Sequence, residues 1–301
     1  NCMVNKTKSL PKFAGVYPIL YMPFNEKYDI DYEDLRKLTE FVIASGADGL
    51  GIAMGSEIFK MSESERDLVL KTVVGQVNGR VQVVMHTGAQ GTDLALNYSL
   101  RAKELGATAL MVTPPTVLPV PNDIIVQHYV TISEKVKMPI FIQDIWTSPI
   151  PPAVMIEIVK ATEYAKYAKA ETPPTTMRTT ELKKLGGDEV IVFGGAWGTN
   201  FIAELNRGSV GTMPGCAVPE FYSKAWEYWK RGRKDEAYAH MEKIGPLLSL
   251  LTRSLDVSYH LDKEILKRRG VIKSVNVRMP TEKPDRITFR ELDKLMESLG
   301  I

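Results

Sequence analysis

The feature that most constrains this chain is a step that recurs along it: an amphipathic helical pattern closes on Gly-Ala, one polar residue follows, and an apolar run begins. It stands at Ser45-Gly46-Ala47-Asp48 before residues 49–54 and at Leu105-Gly106-Ala107-Thr108 before residues 109–113. Glycine just past a helix accepts the left-handed cap conformation, and an unbroken apolar run behind it suits a strand buried on both faces. Extended along the chain, this reading predicts strands at 15–21, 49–54, 81–86, 109–113, 139–143, 164–169, 190–194 and 209–213. Helices are predicted between and after them at 31–45, 63–77, 92–105, 122–136, 151–161, 175–185, 199–206 and 217–231, with Asp31, Ser62, Thr92 and Asn122 as N-caps. Strands alternating with helices at this spacing make a parallel sheet. Eight such units predict closure into a (β/α)₈ TIM barrel, with an open, doubly wound sheet as the alternative.

After Lys230 the strand pattern stops. Helical segments follow at 234–255, 258–269 and 286–299, interrupted by Gly270, Pro280 and Pro284, and their amphipathic character predicts that they pack on the barrel or on a neighbouring subunit. The expected organisation is therefore an N-terminal tail (1–12), the barrel (13–231) and a C-terminal helical extension (232–301). A length of 301 residues fits a barrel with one appendage. The net charge of +2 supplies no field to recruit nucleic acid or an anionic membrane. Cys2 and Cys216 are the two cysteines, which is not the pattern of a disulfide-stabilised secreted domain, and residues 1–12 hold no apolar core of a signal peptide. The expectation is a cytoplasmic protein acting on a small molecule, with no membrane or nucleic-acid partner.

Barrel active sites lie at the C-terminal ends of the strands. Those ends read Gly55-Ser56-Glu57, His86-Thr87-Gly88, Thr113-Pro114, Gln143-Asp144, Lys169-Ala170-Glu171, Gly194-Gly195 and Met213-Pro214-Gly215. Strand alternation puts Ala165, Tyr167 and Lys169 on one face and Tyr164, Lys166 and Ala168 on the other, so one of the two lysines points inward. An amine in an apolar barrel has its charged form disfavoured and becomes a nucleophile toward ketones. Alternatively, Lys169 is a structural lysine paired with Glu171 or Glu57. Gly194-Gly195 and the glycines at 211 and 215 are either a phosphate-binding backbone or tight turns. His86 is a general base, an orienting donor or a packed side chain. Four scattered histidines lack ligand spacing, so no metal is expected. The aromatic run Phe221, Tyr222, Trp226, Tyr228 and Trp229 reads as core or subunit packing.

With these residues in view, the chain resembles the dihydrodipicolinate synthase / N-acetylneuraminate lyase family of class I aldolases from Gly15 to about Leu299. The resemblance rests on residues 15–24, Gly55-Ser56-Glu57 ahead of Met61-Ser62-Glu63-Ser64-Glu65-Arg66, and Thr87-Gly88-Ala89-Gln90-Gly91-Thr92. It continues through Val112-Thr113-Pro114, residues 139–144, Lys169, residues 208–213 and Lys267-Arg268-Arg269-Gly270-Val271-Ile272. It implies that the strand-six lysine, Lys169, forms a Schiff base, that the turn after strand two binds the keto-acid carboxylate, and that the enzyme is a homotetramer. Where the family has Gly-Thr-Thr-Gly-Glu, this chain reads Ala53-Met54-Gly55-Ser56-Glu57. The family's proton-relaying tyrosine before Asn is Gln143 before Asp144 here, a second tyrosine position reads Pro114-Pro115-Thr116, and the arginine used on a second carboxylate is Ser148. The replacement pattern looks more like the branch acting on 2-keto-3-deoxy sugar acids.

The expected site is thus Lys169, Gln143 and Glu171 as catalytic residues, with Gly55, Ser56, His86, Gly195 and Met213 binding substrate. It needs no metal and no cofactor beyond the covalent Schiff base through Lys169. The expected reaction is dehydration of a 2-keto-3-deoxy sugar acid. The alternatives are a pyruvate-dependent aldolase or synthase on the same iminium, and a keto-acid-binding protein without turnover.

Overall fold

The structure is a computed structural model and describes residues 12–301; all of the expected tail except Lys12, and with it Cys2, lies outside the described residues. Strands β1 (Gly15–Val16), β2 (Gly49–Ile52), β3 (Gln82–His86), β4 (Ala109–Val112), β5 (Ile140–Asp144), β6 (Tyr167–Ala170), β7 (Ile191–Gly194) and β8 (Ser209–Thr212) form one parallel sheet in the order β1-β8-β7-β6-β5-β4-β3-β2. Its two edges meet at Ile19, which bridges both Gly51 and Gly215. The Leu20 N–H donates to the Gly51 carbonyl and the Gly51 N–H to the Pro18 carbonyl, each at 2.9 Å. The sheet therefore closes into a (β/α)₈ barrel. The first strand is shorter than the expected 15–21 because Pro18 has no N–H to give to a ladder.

The strand period sorts the side chains into two cores. Phe13, Tyr17, Val84, Ala109, Met111, Phe141, Tyr167, Phe193 and Met213 fill the barrel interior. Their neighbours in sequence, such as Leu50, Ile52, Val83, Leu110, Val112, Ile140, Ile142, Ala168 and Val192, pack outward against the helices. Phe141 stacks on Tyr167 with centroids 4.7 Å apart, and Phe13 meets both edge-on. Burial of each such ring contributes roughly 1.5–3 kcal/mol. At Gly211 the backbone of β1 comes so close that a Cβ would lie 2.2 Å from the Gly15 carbonyl oxygen, which requires glycine there.

The barrel helices are α1 (Tyr32–Ala44), α2 (Glu63–Val77), α3 (Thr92–Glu104), α4 (Asn122–Val136), α5 (Pro152–Ala161), α6 (Thr175–Gly186), α7 (Phe201–Leu205) and α8 (Pro219–Lys230). Asp31 caps α1, and Ser62 caps α2 in a reciprocal box with Glu65. Thr92 and Asn122 are not caps. Each is the first helical residue behind Gly91 and Pro121, and the Thr92 hydroxyl bonds His128 Nδ1 at 2.9 Å rather than its own helix. The segment expected at 234–255 is two helices, α9 (Lys234–Glu242) and α10 (Gly245–Leu251), because Gly245-Pro246 cannot continue the α9 hydrogen-bond ladder. Then come α11 (Leu255–Arg268), which Ser254 caps three residues earlier than expected, and α12 (Arg286–Leu299). Leu247, Leu251, Tyr259, Ile265, Leu292 and Met296 join the same core as the helix-facing barrel residues, as do Tyr222 and Trp226. Among the described residues no helix is long and apolar enough to cross a membrane.

Candidate active site

A cleft opens where the strands end, lined by residues that include Ala53, Gly55, Gln143, Lys169, Glu171 and Met213. Period-two alternation decides which lysine of β6 reaches it. Lys169 lies on the interior face with Tyr167, whereas Lys166 turns outward and its Nζ donates to the Val159 carbonyl. Ala165, placed on the Lys169 face by simple alternation, precedes β6 and packs in the helix-side core instead.

The Lys169 Nζ lies 3.0 Å from Glu171 Oε1 and 4.0 Å from Met111 Sδ. Gln143 is its ladder partner on β5, and the Gln143 amide donates to Glu171 Oε2 at 2.7 Å. The remaining oxygen of that carboxylate also accepts from the Ala196 N–H at 3.1 Å, so Glu171 is fixed from three sides. With its NH₂ used in this way, Gln143 keeps Oε1 as a buried acceptor with no donor among the described residues. A substrate hydroxyl can supply that donor. Glu57, the other partner considered for Lys169, belongs to a separate buried cluster with Lys60 at 3.0 Å and Lys263 at 2.6 Å.

Gly194 and Gly195 are close-approach glycines. A Cβ on Gly195 would lie 2.3 Å from Glu171 Cγ, and one on Gly194 would lie 1.9 Å from Glu204 Oε2. Carboxylates beside both disfavour a phosphate on this backbone. Glu204 is buried, accepts from Thr175 Oγ1 at 2.5 Å and leaves Oε2 without a partner among the described residues. Burial first, and then the charge of Glu171, push its pKa up to about 7.

The turn after β2 is a 3₁₀ turn, Met54–Ser56, in which the Ser56 N–H bonds the Ala53 carbonyl at 2.9 Å and the Ser56 hydroxyl accepts from the Ala53 N–H at 3.1 Å. The Ser56 N–H and one acceptor site of its hydroxyl oxygen are thus used within the turn, while Gly55 lines the cleft. The Tyr259 hydroxyl braces the turn by donating to the Met54 carbonyl at 2.7 Å. His86 ends β3 but is not among the cleft-lining residues. Its Nε2 faces Thr113 Oγ1 at 3.3 Å, and its carbonyl accepts from Arg66 at 2.8 Å. Burial, with the charges of Arg66 and Lys169, holds its pKa down to about 3, so the ring is neutral at physiological pH. Asp144 is taken up structurally by Thr172, Arg178 and the Ile150 N–H.

Sequence reasoning missed Tyr21, Trp146, Trp197 and Leu255, all of which line the cleft. Trp146 and Trp197 follow β5 and β7 and could have been found by reading further into those loops. Leu255 comes from α11, and no strand-end rule reaches it. Tyr21 bonds Ser258 of the same helix, which in turn donates to the buried carboxyl of Asp262 at 2.8 Å. Desolvation pushes Asp262 up to about 7.

The profile of the dihydrodipicolinate synthetase family matches residues 12–299. The chain belongs to this family. Its members and relatives make it a lyase. It is 31% identical over 291 residues to the L-2-keto-3-deoxyarabonate dehydratase of Azospirillum brasilense, covering 93% of each chain. It is 29% identical to the 4-hydroxy-tetrahydrodipicolinate synthase of Staphylococcus carnosus, covering 82% of this chain and 83% of that one. The fold matches the crystal structure of dihydrodipicolinate synthase from Rhodopseudomonas palustris with a TM-score of 0.89 at 23% identity, over 97% of this chain and 99% of the other.

Proposed function

We propose that this lyase binds a 2-keto-3-deoxy sugar acid as a Schiff base on Lys169 and removes water across C3 and C4. The observation that carries the reading is the arrangement of Lys169, Glu171 and Gln143. A carboxylate stands 3.0 Å from the amine, and an amide whose NH₂ is already used on that carboxylate has a free acceptor oxygen. The Lys169 amine adds to the C2 ketone, and loss of that oxygen as water gives an iminium. The iminium draws electrons from C3, so a base beside the nitrogen can take a C3 proton to give the enamine. Glu171 holds that place. The enamine then expels the C4 hydroxyl, which leaves as water with the proton Glu171 has gained, and addition of a water at C2 of the resulting conjugated iminium releases the dehydrated keto acid and the Lys169 amine. Gln143 Oε1 accepts from a substrate hydroxyl and orients the chain; an amide cannot itself act as acid or base here. The Gly55 amide and the surrounding turn hold the C1 carboxylate. His86 acts behind the site rather than as the proton donor. The similarity to the Azospirillum dehydratase supports the same substrate class.

In the presence of pyruvate or another 2-keto acid, borohydride should add an irreversible mass to the peptide containing Lys169, and Lys169→Arg should abolish it because a guanidinium cannot form the imine. Labelling of Lys166 instead would overturn the site. A panel of keto-deoxy pentonates and hexonates should lose water with their carbon skeleton intact and with negligible condensation of pyruvate with aspartate semialdehyde. Stoichiometric release of pyruvate without a dehydrated product would make the enzyme an aldolase.

A further inference from the structure

In the lining of the same cleft as Lys169 two tryptophans stack, Trp146 from the loop after β5 and Trp197 from the turn after β7. Their ring centroids are 6.3 Å apart and their planes 20° from parallel. The two are held very differently. Trp197 Nε1 donates to Ser258 Oγ at 2.7 Å, its carbonyl accepts from the Tyr222 hydroxyl at 2.7 Å, and the preceding Ala196 N–H is bound to Glu171. Those bonds keep Ala196 and Trp197 at φ of 48° and 59°, the left-handed region that residues with a Cβ rarely adopt. Strain of that kind persists only where surrounding contacts over-determine it, and it clusters at ligand-binding positions. Trp146 is 43% exposed and lies over the fixed ring.

The chemistry around this pair is one-sided. Tyr21, Leu255, Pro214 and Ile19 line the cleft beside it, and Lys169 is the one cationic side chain in the lining among the described residues. Imine formation uses that amine. Behind Gly215, itself part of the lining, stands a buried carboxyl: Asp262 Oδ1 would lie 3.3 Å from a Cβ there. A second carboxylate packed against the indoles would be desolvated with no second cation in the lining among the described residues, which is unfavourable. A neutral hydroxylated chain presents C–H groups to the indole faces while its hydroxyls reach the rim.

We propose that Trp146 and Trp197 form the specificity wall of the site, packing on the carbon chain beyond C4 and selecting 2-keto acids with a neutral, extended tail over those ending in a second carboxylate. This rests on the keto-acid reading above and adds to it the chemistry of the distal end.

The test compares ligands that do and do not reach the wall. Pyruvate ends at C3, 2-ketovalerate extends to C5 with a methyl group, and 2-ketoglutarate extends to C5 with a carboxylate. With borohydride, wild-type protein should trap 2-ketoglutarate at least about tenfold less efficiently than 2-ketovalerate. Trp146→Ala should weaken 2-ketovalerate and the five- and six-carbon keto-deoxy acids about tenfold more than it weakens pyruvate, the size expected for one lost aromatic contact. Trp146→Arg should shift preference toward 2-ketoglutarate. Equal loss for all ligands in Trp146→Ala, or wild-type trapping of 2-ketoglutarate as efficient as that of 2-ketovalerate, overturns the wall. If no keto acid is trapped at all, the Schiff-base reading fails by itself. Quenching of tryptophan fluorescence by equilibrium binding of the same three ligands then decides the wall independently, with preferential binding of 2-ketovalerate supporting it and equal binding overturning it.

Discussion

Lys169 could be selected from the sequence because period two offers one inward lysine on β6, and Glu171 followed because it lies two residues on in the same direction. Glu204 could not. It sits on the short helix α7 and meets the site through Gly194, a contact set by how closely helix and strand approach. Its proton is a measurable consequence. The pKa is raised from 4.5 to about 7 in the fold, so between those values the folded protein holds a proton that the unfolded chain has lost. Stability therefore falls as pH rises through that window and levels off above it. Replacing the carboxyl with the neutral, similarly shaped amide in Glu204→Gln should remove a penalty on the order of 3 kcal/mol at high pH. Thermal melts should show the variant gaining on wild type at pH 8 relative to pH 5. His86 works the other way. With its pKa depressed from 6.5 to about 3, it costs stability as pH falls through its own window. The two windows overlap, so the variant-minus-wild-type difference is what isolates Glu204, and a difference that does not change with pH would refute its raised pKa.

At the scale of elements, strands and most helices were readable because their hydrophobic period and caps are local. The turn after β2 shows what lies beyond that. Glu57 adopts a left-handed φ of 55° between two 3₁₀ turns, and its carboxylate ties together Lys263 of α11 at 2.6 Å, Lys60 at 3.0 Å and the Arg278 N–H at 3.1 Å. Lys60 is three residues away, but Lys263 and Arg278 are more than 200 residues off, so no spacing rule could join them. Lys263 is fully buried, and burial lowers its pKa to about 8. Removing one partner of a buried pair strands the other, so Glu57→Gln should cost about 3–5 kcal/mol in urea unfolding. Lys263→Met should cost less, since Lys60 stays on Glu57, and the double variant should recover part of the loss of Glu57→Gln. Strict additivity would mean that Glu57 and Lys263 do not act as a pair.

For the whole molecule, the expectation is a homotetramer, supported by the family resemblance and by the general preference of such enzymes for closed symmetric assemblies. Sedimentation at several concentrations should give a tetrameric mass, and a concentration-independent monomer would contradict it. Eight strand-helix units and the inward position of Lys169 were determined by the sequence itself, because period two, period 3.6 and the glycine after a helix act over a few residues. Tertiary structure alone decided how β1 joins β2 across Ile19 and that α11 supplies Leu255 and the Ser258–Asp262 pair at the barrel mouth. It also decided that the Ser56 N–H and hydroxyl oxygen are taken by their own turn and that His86 is not in the cleft lining. These outcomes depend on which distant groups reach a buried polar atom first, and such a pairing is fixed only when the chain is packed.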